Sequence, residues 1–309
     1  MESGKNGMAY HRLTLLFISI FLFCQKEIPI EKSDIIFGSY FRIKIFTQNK
    51  EEAEKHLDSL FILLKYYDSL FSYFNKNSAL SFINQNKKAR LSKELKEIIL
   101  LSQEIRDKTF GYFDITIAPL MEIWGFYDKN YKRPREVEIK EIKKFIGENA
   151  YLIREDSIFL KEKTKIDLGG IAVGYILDKL VLFLKSRNIK KGIIDAGGDI
   201  IVFGDFKARI GIKDPDKEEI IKTIEIKNGA CSTSGDYYNY FKIGDTIFSH
   251  IINPITGEAE RALNKHRQVT VIGKKAIICD ALSTALLIMP DSLRNKVLEN
   301  FKDYKVIFY

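Results

Sequence analysis

The chain has 309 residues, 46% of them hydrophobic and 29% charged, with a formal net charge of +8. That length suits one large domain or two tightly packed halves, and that composition excludes disorder beyond the first 30 or so residues. Lysines alternate with acids, as in the segment 217–227, so the clustered basic face with aromatics that nucleic acid requires is missing and no nucleic-acid partner is expected.

At the N-terminus, Lys5 and Arg12 precede a run from Leu13 to Cys24 in which only Thr14 and Ser19 are polar. About a dozen apolar residues is too short for an ordinary spanning helix and matches the core of a secretion signal. The run ends in Cys24 and a polar segment follows, a pattern that resembles a bacterial lipoprotein signal. Phe23 stands where such signals carry a small residue. Three readings are open: a lipid anchor on Cys24, a plain signal or uncleaved anchor, and an accidental apolar stretch. The first two place the folded part on the periplasmic side, held to a bacterial membrane by its N-terminus. The expected layout is a leader over 1–24 and one domain over 25–309. Cys231 and Cys279 sit among apolar residues and read as core positions, with no disulfide framework.

Segment 35–46 alternates like a strand. Segment 50–74 predicts a helix, with Ala53, Leu57, Leu60, Leu64 and Phe71 at helical spacing. A second helix is expected over 91–109, capped by Ser92 and ended by Gly111. Segment 113–126 carries Pro119 and reads as a short helix or helical turns. Segment 137–147 reads as a surface helix stopped by Gly147. Beyond residue 150 short strands dominate, at 150–154, 157–161, 190–196, 199–204, 208–212, 221–226, 246–252 and 267–273. Between and after them lie helices at 171–187 and 276–289 and a closing helix–strand pair over 291–309. Regular βαβ alternation, a 20–50-residue repeat and a Pro/Gly/Ser linker are all missing, which points to an α+β single domain.

Glycines cluster at 167–175, 195–200, 232–237 and 253–257. Such turns let backbone amides approach phosphate oxygens, and they are also ordinary tight turns; both readings are open. Neither G-x-G-x-x-G nor the P-loop pattern is present. The helix 279–288, Cys-Asp-Ala-Leu-Ser-Thr-Ala-Leu-Leu-Ile, buries a carboxylate in apolar company, which costs several kcal/mol unless paired, order-of-magnitude. Asp280 and Thr284 are four apart, about 40° on a helix, so they share a face, with Ser283 adjoining. Two hard oxygen donors on one face suit Mg²⁺ or Ca²⁺. The other reading pairs Asp280 with a lysine or cap and bonds Thr284 back to the helix. The histidines His11, His56, His250 and His266 form no zinc pattern. His250 stands near a strand end beside a Pro/Gly turn, a place for acid–base work or for an ordinary turn histidine. No G-x-S-x-G elbow supports a serine hydrolase.

Seven segments in order, 71–84, 111–126, 166–180, 195–204, 232–241, 250–257 and 279–289, together resemble the FAD:protein FMN transferase family, also called the ApbE family, over residues 35 to 300. The resemblance implies a single α+β domain of two related halves with a flavin-binding cleft between them. It implies an enzyme that cleaves FAD with Mg²⁺, releases AMP and joins FMN through a phosphoester to a Thr or Ser of an acceptor redox protein. It implies an exported protein, often a lipoprotein. Carried onto this chain, Asp280, Thr284 and the Gly170 carbonyl match the metal ligands. Phe37, Tyr73, Tyr112, Phe113, Asp114 and Asp167 match flavin- or adenine-contacting positions, joined by Val173 and Ile252 at the flavin edge. His250 matches the histidine beside the reacting phosphate. Departures from the family pattern are Phe37 for Met, Val173 for Lys or Glu, Asn253 for Asp and Ile255 for Arg. Rival readings are a FAD pyrophosphatase, a non-catalytic FAD-binding lipoprotein and a solute-binding protein.

Overall fold

The computed structural model describes residues 27–215, 217–236, 240–261 and 268–309. The expected leader with Cys24, and both His11 and His266, lie outside the described residues. The chain opens with β1 (Ile28–Ile36) and β2 (Ser39–Thr47), then α1 (Lys50–Phe71), α2 (Ala79–Asn86), β3 (Lys88–Arg90) and α3 (Lys93–Lys108). Short helices α4 (Ala118–Ile123) and α5 (Glu136–Ile142) lead to β4 (Tyr151–Arg154), β5 (Ser157–Leu160) and α6 (Ala172–Ser186). A run of strands follows: β6 (Lys191–Ala196), β7 (Asp199–Phe203), β8 (Ala208–Lys213), β9 (Ile220–Ile226), β10 (Gly229–Gly235), β11 (Tyr240–Ile243), β12 (Thr246–Ile252), β13 (Ala259–Arg261) and β14 (Gln268–Gly273). The chain closes with α7 (Ala276–Ile288), α8 (Asp291–Leu298) and β15 (Lys305–Phe308).

Seven strands form one antiparallel sheet in the order β1-β2-β6-β7-β10-β14-β15. Helices α1, α6 and α7 bury their apolar faces against one another and the sheet, through residues such as Leu57, Leu64, Ile176, Leu180, Leu282 and Leu286. This is the expected mixed α+β architecture. A smaller core joins Leu120, Trp124 and Ile139 to Phe241, Phe248 and Ile252 of the β11-β12-β13 sheet. The β8–β9 hairpin packs a third cluster on β7 and β10 through Ala208, Ile226, Val202 and Cys231.

The expected helix over 91–109 is α3, and Ser92 caps it by accepting from the Leu95 amide at 3.2 Å. Besides the short strands β3, β11 and β13, which were not expected, three elements differ from expectation. The single strand at 35–46 is a hairpin, because Phe37 and Gly38 both take positive φ and reverse the chain. Helix α2 arises where none was expected, capped by the Ser78 side chain. Strand β10 runs Gly-Ala-Cys-Ser-Thr-Ser-Gly, without the β-branched and aromatic signature of a strand. It pairs on both edges and carries α7 over its face, where small side chains let the helix approach.

Helices α6 and α7 hold each other reciprocally. Asp178 of α6 accepts from the first amides of α7, Ala276 N at 3.0 Å and Ile277 N at 3.2 Å. Asp280 of α7 accepts from the Gly174 amide of α6 at 3.0 Å. The approach is close enough that a Cβ on Gly174 would stand 2.5 Å from the Ala276 carbonyl oxygen. Each helix N-terminus thus gives its unpaired amides to a carboxylate on the other.

Gly174→Ala should lower stability by about 1–3 kcal/mol, the range for overpacking a rigid contact. Helix propensity alone would raise it by about 1 kcal/mol. Urea unfolding reads the sign: a stabilised variant would mean that the two helices do not meet as tightly as described.

Candidate functional site

A cavity of about 710 Å³ opens where the sheet's strand ends meet α7. Six pieces of chain build it: the 112–117 loop, the 126–131 loop after α4, the 167–170 turn before α6, the end of β10, the end of β12, and α7 itself. The β6–β7 turn adds Gly197 and Asp199.

Asp280 and Thr284 both line this cavity, as the helical spacing predicts. Asp280 is only 6% exposed. Among the described residues the Gly174 amide is the one protein group bonded to its carboxylate. Thr284 Oγ1 lies 3.4 Å from the Asp280 carbonyl and 3.2 Å from Ser234 Oγ. Ser283 shares the same partner, its hydroxyl lying 2.8 Å from Ser234 Oγ. Gly170 faces Thr284 across the cavity wall: a Cβ there would meet Thr284 Oγ1 at 3.7 Å and the Phe113 ring at 3.5 Å. Asp199 joins the same face and accepts from the Ser232 hydroxyl. Burial pushes the Asp199 carboxyl up to about 6, with Asp195 adding to it. Burial, then the nearby Asp199, pushes Asp280 well above the usual carboxylate range. Among the described residues no cluster of three His, Cys, Asp or Glu exists. The donors on that face are instead two carboxylates and hydroxyls, all hard oxygen, and the two acidic groups lie on it together. That donor set fits Mg²⁺.

His250 lines the cavity from within β12, two residues before the strand ends, with Ile251 and Ile252 beside it. The departure at Asn253 has a local role. Its side-chain oxygen accepts from the Ile255 and Thr256 amides at 2.9 and 3.3 Å, and its backbone pairs with Gly257 and Glu258. A neutral amide serves that turn as well as a carboxylate would.

Tyr112, Phe113, Asp114 and Asp167 line the opposite wall. Asp114 is occupied by structure: Arg106 Nε donates to it at 2.9 Å, and the Thr116 amide and hydroxyl at 2.8 and 2.5 Å. Three sequence-predicted residues lie off the cavity. Phe37 sits in the β1–β2 turn and packs on the main core. Val173 is buried in the first turn of α6, where helix contacts take its side chain. Tyr73 turns to Glu122, donating at 3.0 Å, and lines a groove behind the cavity. Its neighbour Phe74, 72% exposed, lines both the groove and the cavity, and the Tyr73 and Phe74 rings meet edge to face at 5.8 Å.

Sequence reasoning missed Asp199, Ser232, Ser234 and Tyr127. The first three lie in quoted glycine clusters, where the polar residues between the glycines were the available signal. Tyr127 had none: its place depends on a loop meeting Asp167, 40 residues away.

A family model described as the ApbE family matches residues 37–308. A FAD:protein FMN transferase from Buchnera aphidicola subsp. Baizongia pistaciae is 32% identical over 275 residues, covering 82% of this chain and 78% of that one. One from Vibrio cholerae serotype O1 is 29% identical, covering 91% and 88%. The crystal structure of the ApbE protein from Thermotoga maritima superposes with a TM-score of 0.83 at 31% identity, covering 91% of this chain and 94% of that one.

The acidic face makes a signed prediction about pH. Asp199 titrates near 3.8 when unfolded and about 6 when folded, so the folded state holds its proton more tightly. The stability this contributes is present at low pH and is lost as pH rises through about 6. Without divalent cations, the thermal midpoint should therefore fall between pH 4.5 and 7 by more in the parent chain than in Asp199→Asn. Mg²⁺ should raise the midpoint more at pH 7.5 than at pH 5. Equal pH profiles for parent and variant would contradict this account.

Proposed function

The chain belongs to the ApbE family, and on that premise we propose that it is a flavin transferase which cleaves FAD, releases AMP and joins FMN to a Thr or Ser hydroxyl of an acceptor redox protein. One observation carries the reading: the Asp280–Thr284 face, Gly170 and His250 border a single cavity whose other wall is aromatic. A dinucleotide with a flat ring system and a charged pyrophosphate needs that division into a hard-oxygen face and an apolar face.

Asp280, Thr284 and the Gly170 carbonyl would hold Mg²⁺, with Asp199 adjacent. When bound, the ion supplies Lewis-acid neutralisation of charge on the pyrophosphate oxygens. The chain's own groups do the rest. Gly170 and Gly197 bring backbone close to the phosphates, where fixed amides stabilise developing charge. His250, as a neutral imidazole, accepts the proton from the acceptor hydroxyl while that oxygen attacks phosphorus on the FMN side. The P–O bond to AMP breaks, and AMP leaves with the bond's electron pair. Ile251, Ile252 and Phe113 keep bulk water from the phosphate, favouring transfer over hydrolysis. Water in place of the acceptor would give FMN and AMP, the hydrolase reading.

The N-terminal segment 1–24 is proposed as an export signal, with Cys24 a lipid attachment point. This rests on sequence pattern alone. Among the described residues no helix is long and apolar enough to cross a membrane.

Incubation with FAD, Mg²⁺ and a Thr-containing acceptor should yield flavin fluorescence that survives a denaturing gel, together with AMP. Asp280→Asn, which keeps an acceptor oxygen for the Gly174 amide, should cut AMP release by at least about 10²–10³-fold while keeping the thermal midpoint of the metal-free protein. Full activity in that variant would remove the metal assignment. His250→Ala should slow transfer while leaving FAD affinity near the parent value. AMP without labelled acceptor would favour the hydrolase, and no AMP at all would leave a binding protein.

A further inference from the structure

Tyr127 stands between two hollows. On one side is the 710 Å³ cavity, which Tyr127 lines and Tyr73 does not. On the other is a groove of about 790 Å³ lined by Tyr73, Glu122, Lys87 and Lys165. The two tyrosine rings lie flat on each other, centroids 4.0 Å apart and planes 22° off parallel. Tyr73 is pinned from behind by Glu122, which also pairs with Lys165. The Tyr127 ring therefore has a braced back and one face on the cavity, while the Phe74 ring meets it edge-on at 5.7 Å.

The Tyr127 hydroxyl donates to Asp167 Oδ2 at 2.5 Å, and the Gly169 amide donates to Asp167 Oδ1 at 2.7 Å. Each carboxylate oxygen has one protein donor and keeps capacity for another. No lysine or arginine among the described residues bonds this carboxylate. It is an acceptor group, fixed in plane and open to the cavity. Such a group matches a ligand edge that presents N–H and repels one that presents only lone pairs.

We propose that Tyr127 is the positioning residue that makes Asp167 a selective acceptor for the N–H edge of a flat heterocycle, and so sets which ring the cleft takes at this end. The inference rests on the FAD reading for the ligand's identity. Both rings of FAD offer such an edge, the adenine amine and the isoalloxazine imide, and the test separates them.

Calorimetry on the parent chain and Tyr127→Phe would use FAD, AMP and FMN as ligands. Tyr127→Phe keeps the ring stack and frees the carboxylate. It should weaken FAD about tenfold, within the reach of one hydrogen bond to a charged group. The loss should fall on one half only, AMP or FMN, and should appear in KM with kcat at saturating FAD nearly unchanged. Preference over the analogue without that donor should collapse, whether the hypoxanthine dinucleotide or N3-methyl FAD. If Tyr127→Phe does not fold, Asp167→Asn carries the test, because its amide should reverse the preference between donor and acceptor edges. Parent-like binding by Tyr127→Phe, or equal loss on both halves, overturns the inference while FAD binding by the parent chain stands. No FAD binding by the parent chain sinks the flavin reading itself, and this one with it.

Discussion

The exchange of carboxylates between α6 and α7 is the constraint on which the rest of the structure depends. Asp178 takes the opening amides of α7, and Asp280 takes the Gly174 amide near the start of α6. The exchange works only at a backbone separation that glycine permits. It fixes α7 in rotation and in height, which decides where Asp280 and Thr284 point. Because α7 is buried nearly all round, its polar residues have no solvent to turn to. They must face either a partner or a cavity.

From that fixed helix the site follows outward. Strand β10 lies beneath α7 with small side chains, and its hydroxyls at Ser232 and Ser234 link Asp199, Ser283 and Thr284 into one hydrogen-bonded face. Burial raises the proton affinity of both carboxylates on that face, with Asp199 adding to that of Asp280 and Asp195 to that of Asp199. A divalent cation relieves the same strain. The face is thus costly while empty of charge partners and stabilised once neutralised, a property expected of a site that binds a metal and a polyphosphate together. The opposite wall is built on other terms. Asp114 is consumed by Arg106 and Thr116 to shape a loop, whereas Asp167 is held by Tyr127 and Gly169 and keeps a face to the cavity.

Local rules carried well where a residue's partner is near in sequence. The Ser92 cap, the Asp280–Thr284 stripe and the turn-forming glycines each depend on neighbours within a few positions. Local rules failed where the environment came from elsewhere. The strand at β10 has a weak strand composition and is held by β7, β14 and the helix above it. Tyr73 and Phe74 are adjacent and chemically alike, and only the bend after α1 decides that Phe74 meets the cavity. Asn253 departs from the family pattern without consequence for its turn, because the turn needs an acceptor oxygen and the amide has one.

The sequence by itself determined the α+β class, the family and the oxygen-donor stripe on α7. These are carried by periodicity, by motif order and by helical spacing, all of which are one-dimensional. The tertiary structure alone decided that Asp199, Ser232 and Ser234 complete that stripe. It alone decided that Phe37, Tyr73 and Val173 stand off the cavity, and that Tyr127 closes one end of it on Asp167. The reason is physical: a hydrogen bond between residues 40 or 106 positions apart is set by how whole elements pack, and packing leaves no local trace in the chain.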